Sequence, residues 1–283
     1  MNFLILGSGY GLYGYLPSIY KISKKIFLDI KYKKKIKFID NFKKIEWYNN
    51  MENILSKINY VVIAKRPNDQ FKLVEYIHKK NKTVNFFLEK PLAATPSKAK
   101  ELLFFLKRKK ILFKVGFIFS YLKWYDLIFK NFNYEKSKIL IEWNFKYNKN
   151  NNSWKKKPRM GGGIIAYYGI HFIKIFSDLN FKEIKENILE KYTWRYVVSD
   201  KNSNLIKLII NINSKKEKFI IRINNKVLRY QNPFDAEIIG TKKDPRCKYL
   251  IKYVLSGFIN SKEIFNKHLN CIKLWSNISK SLN

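Results

Sequence analysis

Short apolar runs alternate with segments of helical spacing along the first 118 of the 283 residues. The predicted strands are 2–6, 25–29, 60–64, 84–88 and 112–117, and the predicted helices run from the glycines after residue 6 to about 22, over 71–80 and over 97–107, with Ser97 as the N-cap. Continuous apolar strands suit a sheet that helices cover on both faces. The alternation therefore predicts an α/β fold with a parallel, doubly wound sheet.

A glycine-rich turn, GSGYG at 7–11, joins the first predicted strand to the first predicted helix. Gly7 permits a tight turn, and Gly9 lets a pyrophosphate approach the main chain beside the N–H groups of the helix. Leu12 stands where the usual GxGxxG pattern has its third glycine. Such a turn can be purely structural, but its position after the first strand favours dinucleotide binding. The predicted cofactor-binding residues of the turn are Gly7, Gly9, Tyr10 and Gly11.

Asp29 ends the second predicted strand, about 20 residues beyond the glycines. A carboxylate at this place accepts hydrogen bonds from the ribose hydroxyls of NAD. Lys31 and Lys33 follow directly, and their ammonium groups suit the 2′-phosphate of NADP instead. All three side chains could also be solvated loop residues. The sequence therefore predicts a cofactor that is NAD or NADP.

The net charge of +36 comes from 57 Lys and Arg residues against 21 Asp and Glu residues. Such a charge suits a nucleic acid partner if the cations cluster on one face. Lysine instead occurs in nearly every block of ten residues, and there is no confined basic arm, zinc-finger spacing or aromatic RNA-recognition signature. We therefore expect a compositional bias without a specific nucleic-acid partner, and a positive field that steers anionic ligands.

The two cysteines, Cys247 and Cys271, are too far apart for a CxxC metal or redox motif. We expect no disulfide framework and no metal site, and a reducing cytoplasm is the simplest location. The apolar run at 1–6 lacks the basic flank and the length of a signal peptide. No run reaches the roughly 20 apolar residues that a transmembrane helix needs.

The alternation of strands and helices ends after Phe117. The later pattern predicts a strand at 138–147, a loop at 148–157, a helix at 163–179, several strands between 187 and 239, and helices at 249–258 and 263–282. Segments 204–213 and 217–224 look like one hairpin that turns at 214–216. Successive strands indicate an α+β domain with an open, mostly antiparallel sheet. The predicted domains are 1–118, which binds the dinucleotide, and 119–283, for substrate binding and oligomerisation.

Five short motifs occur in an order that points to a known family. EKPLA at 89–93 lies between a predicted strand and a predicted helix. The glycine turn precedes it, as does a strand followed by Pro67-Asn68 that looks like an ATPxN segment. VGF at 115–117 and the element made of GGG at 161–163 and GIH at 169–171 come later. Together these motifs resemble the glucose–fructose oxidoreductase/inositol dehydrogenase family, Gfo/Idh/MocA.

The resemblance implies a Rossmann domain and hydride transfer to or from a sugar, a sugar nucleotide or a related hydroxy or keto compound, with surface-carbohydrate biosynthesis as the pathway. It places Lys90 by the nicotinamide, where an ammonium group stabilises negative charge on the substrate oxygen. Pro91 then keeps the backbone of Lys90 extended. His171 is then the general acid/base, because an imidazole titrates near neutral pH. Further cofactor contacts fall on Arg66, Pro67, Glu89 and Lys90, and a homodimer or higher homo-oligomer is implied.

Tyr167 stands four residues before His171, where the family has an aspartate. Residues four apart share a helical face, so Tyr167 is expected beside His171. In one hypothesis Tyr167, with its pKa lowered by Lys90, shares the acid/base role. In a second, Tyr167 packs or binds substrate while His171 works alone. In a third, the chemistry is weak or lost, which leads to an alternative function as a non-catalytic dinucleotide-binding or regulatory protein.

Overall fold

The computed structural model describes residues 1–36, 42–131, 136–146, 153–234, 246–258 and 262–282. The chain divides into two compact units. The first consists of Met1–Ala93, Glu101–Ile118 and Ile238–Phe265, and the second of Ala94–Lys100, Phe119–Glu237 and Asn266–Asn283. Each unit is built around one six-stranded sheet.

The strands of the first unit are buried apolar runs. They are β1 (Asn2–Leu6), β2 (Lys25–Asp29), β3 (Ile45–Tyr48), β4 (Tyr60–Ile63), β5 (Asn85–Leu88) and β6 (Phe113–Val115). They form a wholly parallel sheet with the order β3-β2-β1-β4-β5-β6, which is the order of dinucleotide-binding folds. The predicted α/β architecture is therefore confirmed. Only β3 was not predicted, because its four residues, IEWY, form no continuous apolar run.

Seven α-helices lie in the described part of the chain. They are α1 (Leu16–Tyr20), α2 (Pro67–Lys80), α3 (Pro96–Arg108), α4 (Lys123–Asn131), α5 (Ile170–Asp178), α6 (Arg246–Leu255) and α7 (Lys262–Lys280). Pro67 opens α2 at a position where a missing N–H costs nothing. Helix α3 begins one residue before Ser97, and the Oγ1 atom of Thr95 accepts from the N–H of Lys98 at 3.3 Å. The N-cap of α3 is therefore Thr95 rather than Ser97.

The second unit carries the open, mostly antiparallel sheet that was predicted. Its strands are β7 (Lys138–Lys146), β8 (Glu183–Leu189), β9 (Thr193–Ser199), β10 (Leu205–Asn211), β11 (Asn213–Ile223) and β12 (Lys226–Tyr230). Their order is β12-β11-β7-β10-β9-β8. Among these described strands, β7 and β10 form the one parallel pair. The side chains of β7 alternate between the buried face and the other face of the sheet.

The predicted hairpin of 204–213 with 217–224 is wrong. Strand β10 pairs with β9 and β7, whereas β11 pairs with β7 and β12, so β7 lies between them. Residues 214–216 are not a turn but part of β11, where the pairing with β7 shifts register between Asn213 and Lys218. A local pattern of two strands and a polar connection cannot show that an earlier strand supplies the partner for both.

The predicted helix over 163–179 has two parts, a wide π-type turn at Ile164–Gly169 and the helix α5. A Cβ atom on Gly169 would lie 2.4 Å from Cζ3 of Trp194, so the turn approaches β9 too closely for any side chain. Backbone hydrogen bonds in a π-type turn run from i to i+5. Four-residue spacing therefore no longer supports the expected alignment of Tyr167 with His171.

Other expectations concern features outside the two sheets. No helix in the described ranges is both long and apolar enough to cross a membrane. Cys247 and Cys271 are free thiols. Of the predicted loop at 148–157, residues up to 152 lie outside the described part of the chain, and Trp154–Lys156 form a 3-10 turn.

Candidate functional site

The glycine turn follows β1 and has the geometry of a phosphate cradle. Gly7 has φ +136°, and a Cβ atom there would lie 2.2 Å from the carbonyl oxygen of Ala64. Only glycine therefore fits that backbone position. A Cβ atom on Gly9, in contrast, would meet no heavy atom within 4 Å. The main chain at Gly9 faces open space, so the turn fits a pyrophosphate that approaches the backbone.

Alanine substitutions at these two glycines separate folding from binding. We expect Gly7→Ala to destabilise the protein by at least about 2 kcal/mol, because it combines a disfavoured φ with a backbone clash. We expect Gly9→Ala to fold normally but to bind NADH about tenfold more weakly, because the methyl group occupies the cradle. Thermal unfolding and fluorescence titration of both variants measure the two effects. Equal NADH affinity of Gly9→Ala and the unchanged chain would contradict the assignment of the cradle.

Tyr10 and Leu12 explain why the glycine pattern is irregular. Leu12 is 3% exposed and belongs to the core. The ring of Tyr10 folds back along the helical turn, because a Cβ atom on Gly14 would lie 2.5 Å from its Cε2 atom. The tyrosine ring also meets those of Tyr13 and Tyr15 at centroid distances of 5.5 and 5.4 Å. The close approach usually provided by the third glycine is thus shifted to Gly14.

Asp29 and Lys31, the predicted alternative ligands of the ribose end, lie together in one ion pair at the end of β2. Oδ1 of Asp29 also accepts from the backbone N–H of Lys31 at 3.1 Å. The hydrogen bond to Asp29 raises the pKa of Lys31. The carboxylate and the ammonium group are therefore positioned by each other.

Arg66 and Pro67 follow β4 at the start of α2. Pro67 is buried, whereas the side chain of Arg66 is 51% exposed. Nε of Arg66 donates to Oδ2 of Asp69 at 3.3 Å, across one turn of the helix. Arg66 thus takes part in an exposed ion pair with its own helix.

Gln70 is a buried polar residue beside Lys90 that the motifs did not single out. It is fully buried, and its Nε2 atom donates to the carbonyl oxygens of Glu89, Pro91 and Leu92 at 2.9, 2.8 and 3.2 Å. Its Oε1 atom accepts from the backbone N–H of Glu89 at 2.9 Å. Gln70 therefore holds the segment that carries Lys90 on both sides of that lysine. The signal available in the sequence was an amide on the apolar stripe of α2, with Val74 and Ile77.

Glu89 lies at the end of β5 in a shielded position. Its Oε1 atom accepts from the hydroxyl of Tyr15 at 2.8 Å, and a Cβ atom on Gly116 would lie 2.8 Å from that same oxygen. Burial raises the pKa of Glu89 to about 7, while the charges of Lys90 and Arg246 act in the opposite direction. The VGF glycine thus leaves room for a carboxylate that changes protonation near neutral pH.

The buried carboxyl group of Glu89 predicts a pH effect on stability. Between its ordinary pKa of 4.5 and its pKa of about 7 in the folded chain, the folded state binds more protons than the unfolded state. Stability therefore falls as the pH rises through that window. We expect the free energy of unfolding of Glu89→Gln to exceed that of the unchanged chain by about 2 kcal/mol at pH 8 and by little at pH 4.5. The measurement is the free energy of unfolding of both proteins from pH 4.5 to 8. A difference between them that stays the same at every pH would refute this.

In the second unit, His171 lies on α5 with its ring stacked on that of Phe119. The ring centroids are 4.1 Å apart and the planes are inclined by 13°. His171 is 5% exposed, and Phe119 is surrounded by Trp124, Phe172 and other rings. The imidazole is therefore held in one orientation by aromatic packing.

Tyr167 lies in the wide turn before α5 and contacts a different set of residues. Its ring meets those of Trp154 and Tyr168 edge to face, at centroid distances of 5.5 and 4.8 Å. Nζ of Lys155 lies over the tyrosine ring, 5.2 Å from its centroid. The cation that the second unit places beside Tyr167 is therefore Lys155. The expected meeting of Lys90 with His171 stays a prediction, because the two residues belong to different units.

The three glycines of the GGG motif hold the chain before this turn. Gly161 and Gly163 have φ angles of +80° and +84°, which favour glycine. A Cβ atom on Gly162 would lie 2.3 Å from the carbonyl oxygen of Trp154. The motif thus serves a compact backbone next to Tyr167.

Comparisons with known proteins agree with this geometry. Residues 1–117 match the sequence model of GFO_IDH_MocA, described as an oxidoreductase family with an NAD-binding Rossmann fold. A search of curated proteins finds no match.

Several solved structures share the fold of the whole chain. The WlbA (WbpB) dehydrogenase from Thermus thermophilus, solved with NAD and UDP-GlcNAcA, is 13% identical with a TM-score of 0.70, over 98% of this chain and 94% of that one. The dehydrogenase MviM from Clostridium difficile is 17% identical with a TM-score of 0.72, over 99% and 98%. The UDP-N-acetylglucosamine 3-dehydrogenase GnnA from Acidithiobacillus ferrooxidans is 11% identical with a TM-score of 0.70, over 100% and 99%.

Proposed function

We propose that this chain, whose residues 1–117 match the Gfo/Idh/MocA family of NAD-binding oxidoreductases, is a member of that family and oxidises a CH–OH group, or reduces the corresponding ketone, of a sugar or sugar nucleotide. The observation that carries the proposal is the cradle at Gly9, which follows the first strand of a sheet with dinucleotide-binding order. The sugar-nucleotide class is supported by the substrates named for the similar structures.

The turn at Gly7–Gly11 and the carboxylate of Asp29 would hold NAD or NADP, whose nicotinamide supplies or accepts the hydride. Lys90 donates a hydrogen bond to the substrate oxygen and stabilises negative charge on it. Gln70 fixes the backbone on both sides of Lys90, so the direction of its side chain is set before substrate binds. His171 takes the hydroxyl proton in oxidation and returns it in reduction.

Tyr167→Phe tests the role of the residue that replaces the family aspartate. The ring contacts of Tyr167 and the cation over its face persist in a phenylalanine, so we expect turnover to stay within about threefold of the unchanged chain. We expect His171→Gln to lose about a hundredfold or more, because proton transfer is removed. A loss in Tyr167→Phe as large as that in His171→Gln would give the tyrosine a share in proton transfer.

A two-step experiment tests the proposed function. The fluorescence of NADH and NADPH is titrated with the protein, and absorbance at the nicotinamide band is then followed with a panel of UDP-sugars and keto-sugars. Saturable binding of either nucleotide together with turnover of one panel member is the expected result. The absence of nucleotide binding would overturn the proposal.

Burial of His171 favours one alternative function. A side chain that is 5% exposed and stacked on Phe119 is also what a packed core histidine looks like. The alternative is a protein that binds the dinucleotide without catalysis and serves a regulatory role. Nucleotide binding without turnover across the panel, and normal nucleotide affinity in His171→Gln, would support it. In either case, we propose that the chain forms a homodimer or a higher homo-oligomer.

A further inference from the structure

Arg246, the first residue of α6, lies on the aromatic side of the glycine turn. Its Cζ atom is 5.1 Å from the ring centroid of Tyr10 and 5.3 Å from that of Tyr13. The hydroxyl of Ser18 donates to the carbonyl oxygen of Gly14 at 2.5 Å and also lies 3.2 Å from the carbonyl oxygen of Cys247, so the start of α6 contacts α1. Two cation–π contacts and this anchor fix the guanidinium group near residues that are far away in the sequence.

The position of Tyr10 shows where this charge lies. Tyr10 stands between Gly9, whose main chain faces open space, and Gly11. The guanidinium group therefore lies over the ring of the residue that directly follows Gly9, a ring that packs against Gly14. Arginine stacks on aromatic rings through its flat face and keeps its N–H donors in the plane of the group, a geometry that suits phosphate oxygens. The contacts on Tyr10 and Tyr13 thus orient the guanidinium group of Arg246.

The charge of Arg246 also acts on the buried carboxyl group of Glu89. Glu89 is negatively charged when ionised, and both Arg246 and Lys90 stabilise that carboxylate. A carboxylate near a phosphate site repels an anionic ligand unless cations offset it. Arg246 therefore supplies positive charge that offsets the buried acid Glu89.

We propose that Arg246 is a cofactor-binding residue, whose guanidinium group binds the pyrophosphate of the dinucleotide at the glycine turn. The proposal rests on the proposed function, since it presupposes a dinucleotide in the cradle. The pyrophosphate is common to NAD and NADP, so Arg246 contributes to the affinity for both cofactors and does not separate them. That role distinguishes it from Asp29 and Lys31, which lie at the end of β2.

The test compares Arg246→Met with Arg222→Met by fluorescence titration of NADH and of NADPH. Methionine keeps the length of the arginine stem without its charge. Arg222 is an exposed residue of β11 in the second unit, so its variant controls for the loss of one positive charge from the whole protein. We expect Arg246→Met to raise the Kd of both nucleotides by about ten- to a hundredfold and by the same factor. Arg222→Met is expected to bind as the unchanged chain does.

Arg246→Lys keeps the charge and removes the flat, forked donor set, so its Kd is expected between those of the unchanged chain and Arg246→Met. If Arg246→Met melts at a much lower temperature than the unchanged chain, the nucleotide affinity of Arg246→Lys tests the role of Arg246 instead. Equal nucleotide affinity of the Arg246 variants and Arg222→Met would overturn the role of Arg246. Failure of the unchanged chain to bind either nucleotide would instead overturn the proposed function.

Discussion

Turnover in Lys90→Met is expected to fall by about a hundred- to a thousandfold, with a much smaller change in the affinity for NADH. Lys90 is the group that we propose to stabilise negative charge on the substrate oxygen, and methionine has a similar length without charge. Gln70 holds the backbone on both sides of this position through the carbonyls of Glu89 and Pro91, so the loss belongs to the ammonium group. Steady-state kinetics and nucleotide titration of the same preparation measure the two quantities.

Lys72→Met is the matched control, because Lys72 is an exposed lysine of α2. It is expected to turn over at the rate of the unchanged chain. A Lys90→Met protein that binds nucleotide and turns over as fast as this control would remove Lys90 from the catalytic residues.

In the second unit, Asp178→Asn is expected to lower the free energy of unfolding by about 3 kcal/mol and the melting temperature by roughly 6 to 12 °C. Both oxygens of Asp178 accept from Nζ of Lys174 on the same helix, and the two side chains are each 12% exposed. Removal of the carboxylate leaves a buried ammonium group without its anion. His268 stays neutral beside this pair, because burial and the Lys174 charge lower its pKa to about 3.

Two further variants test this explanation by calorimetry. Glu183 forms an exposed ion pair with Lys185 at 3.1 Å, so Glu183→Gln is expected to change the melting temperature little. The double variant Lys174→Met/Asp178→Leu is expected to recover most of the stability, because it replaces a buried pair by apolar groups. A double variant as unstable as Asp178→Asn would show that packing around α5, rather than charge, causes the loss.

The parallel sheet could be predicted from the sequence because its signals are local. Continuous apolar runs such as Tyr60–Ile63 define strands, and the glycine turn has the position that is typical of dinucleotide-binding folds. The family resemblance is confirmed over residues 1–117, which hold four of its five motifs. For the second sheet, the sequence predicted an open, mostly antiparallel sheet but not the pairing of its strands. The parallel partner of β7 is β10, which no local pattern indicates.

The candidate site was predictable where a motif carries the residue and not where packing carries it. Lys90, Gly9 and Glu89 lie in motifs. Gln70 showed only as an amide on an apolar stripe, and the sequence gives no sign that Arg246 reaches the ring of Tyr10. The wide turn before α5 was also hidden, because its sequence, IIAYYG, reads as an ordinary helix.

The first unit is built from segments that are far apart in the sequence, Met1–Ala93, Glu101–Ile118 and Ile238–Phe265, and this affects how the protein is made. Helix α6 and the residues that follow it complete that unit. Lys114 donates to the carbonyl oxygen of Tyr253, and the ring of Phe258 is tilted against that of Phe87 and stacked on that of Tyr60, at centroid distances of 4.8 and 5.8 Å. A ribosome that has released only the first 118 residues therefore exposes aromatic surface whose cover is still to be translated. Co-translational folding of the nucleotide-binding unit must wait until the intervening sheet has emerged, and a chaperone that shields aromatic patches is expected to act during that interval.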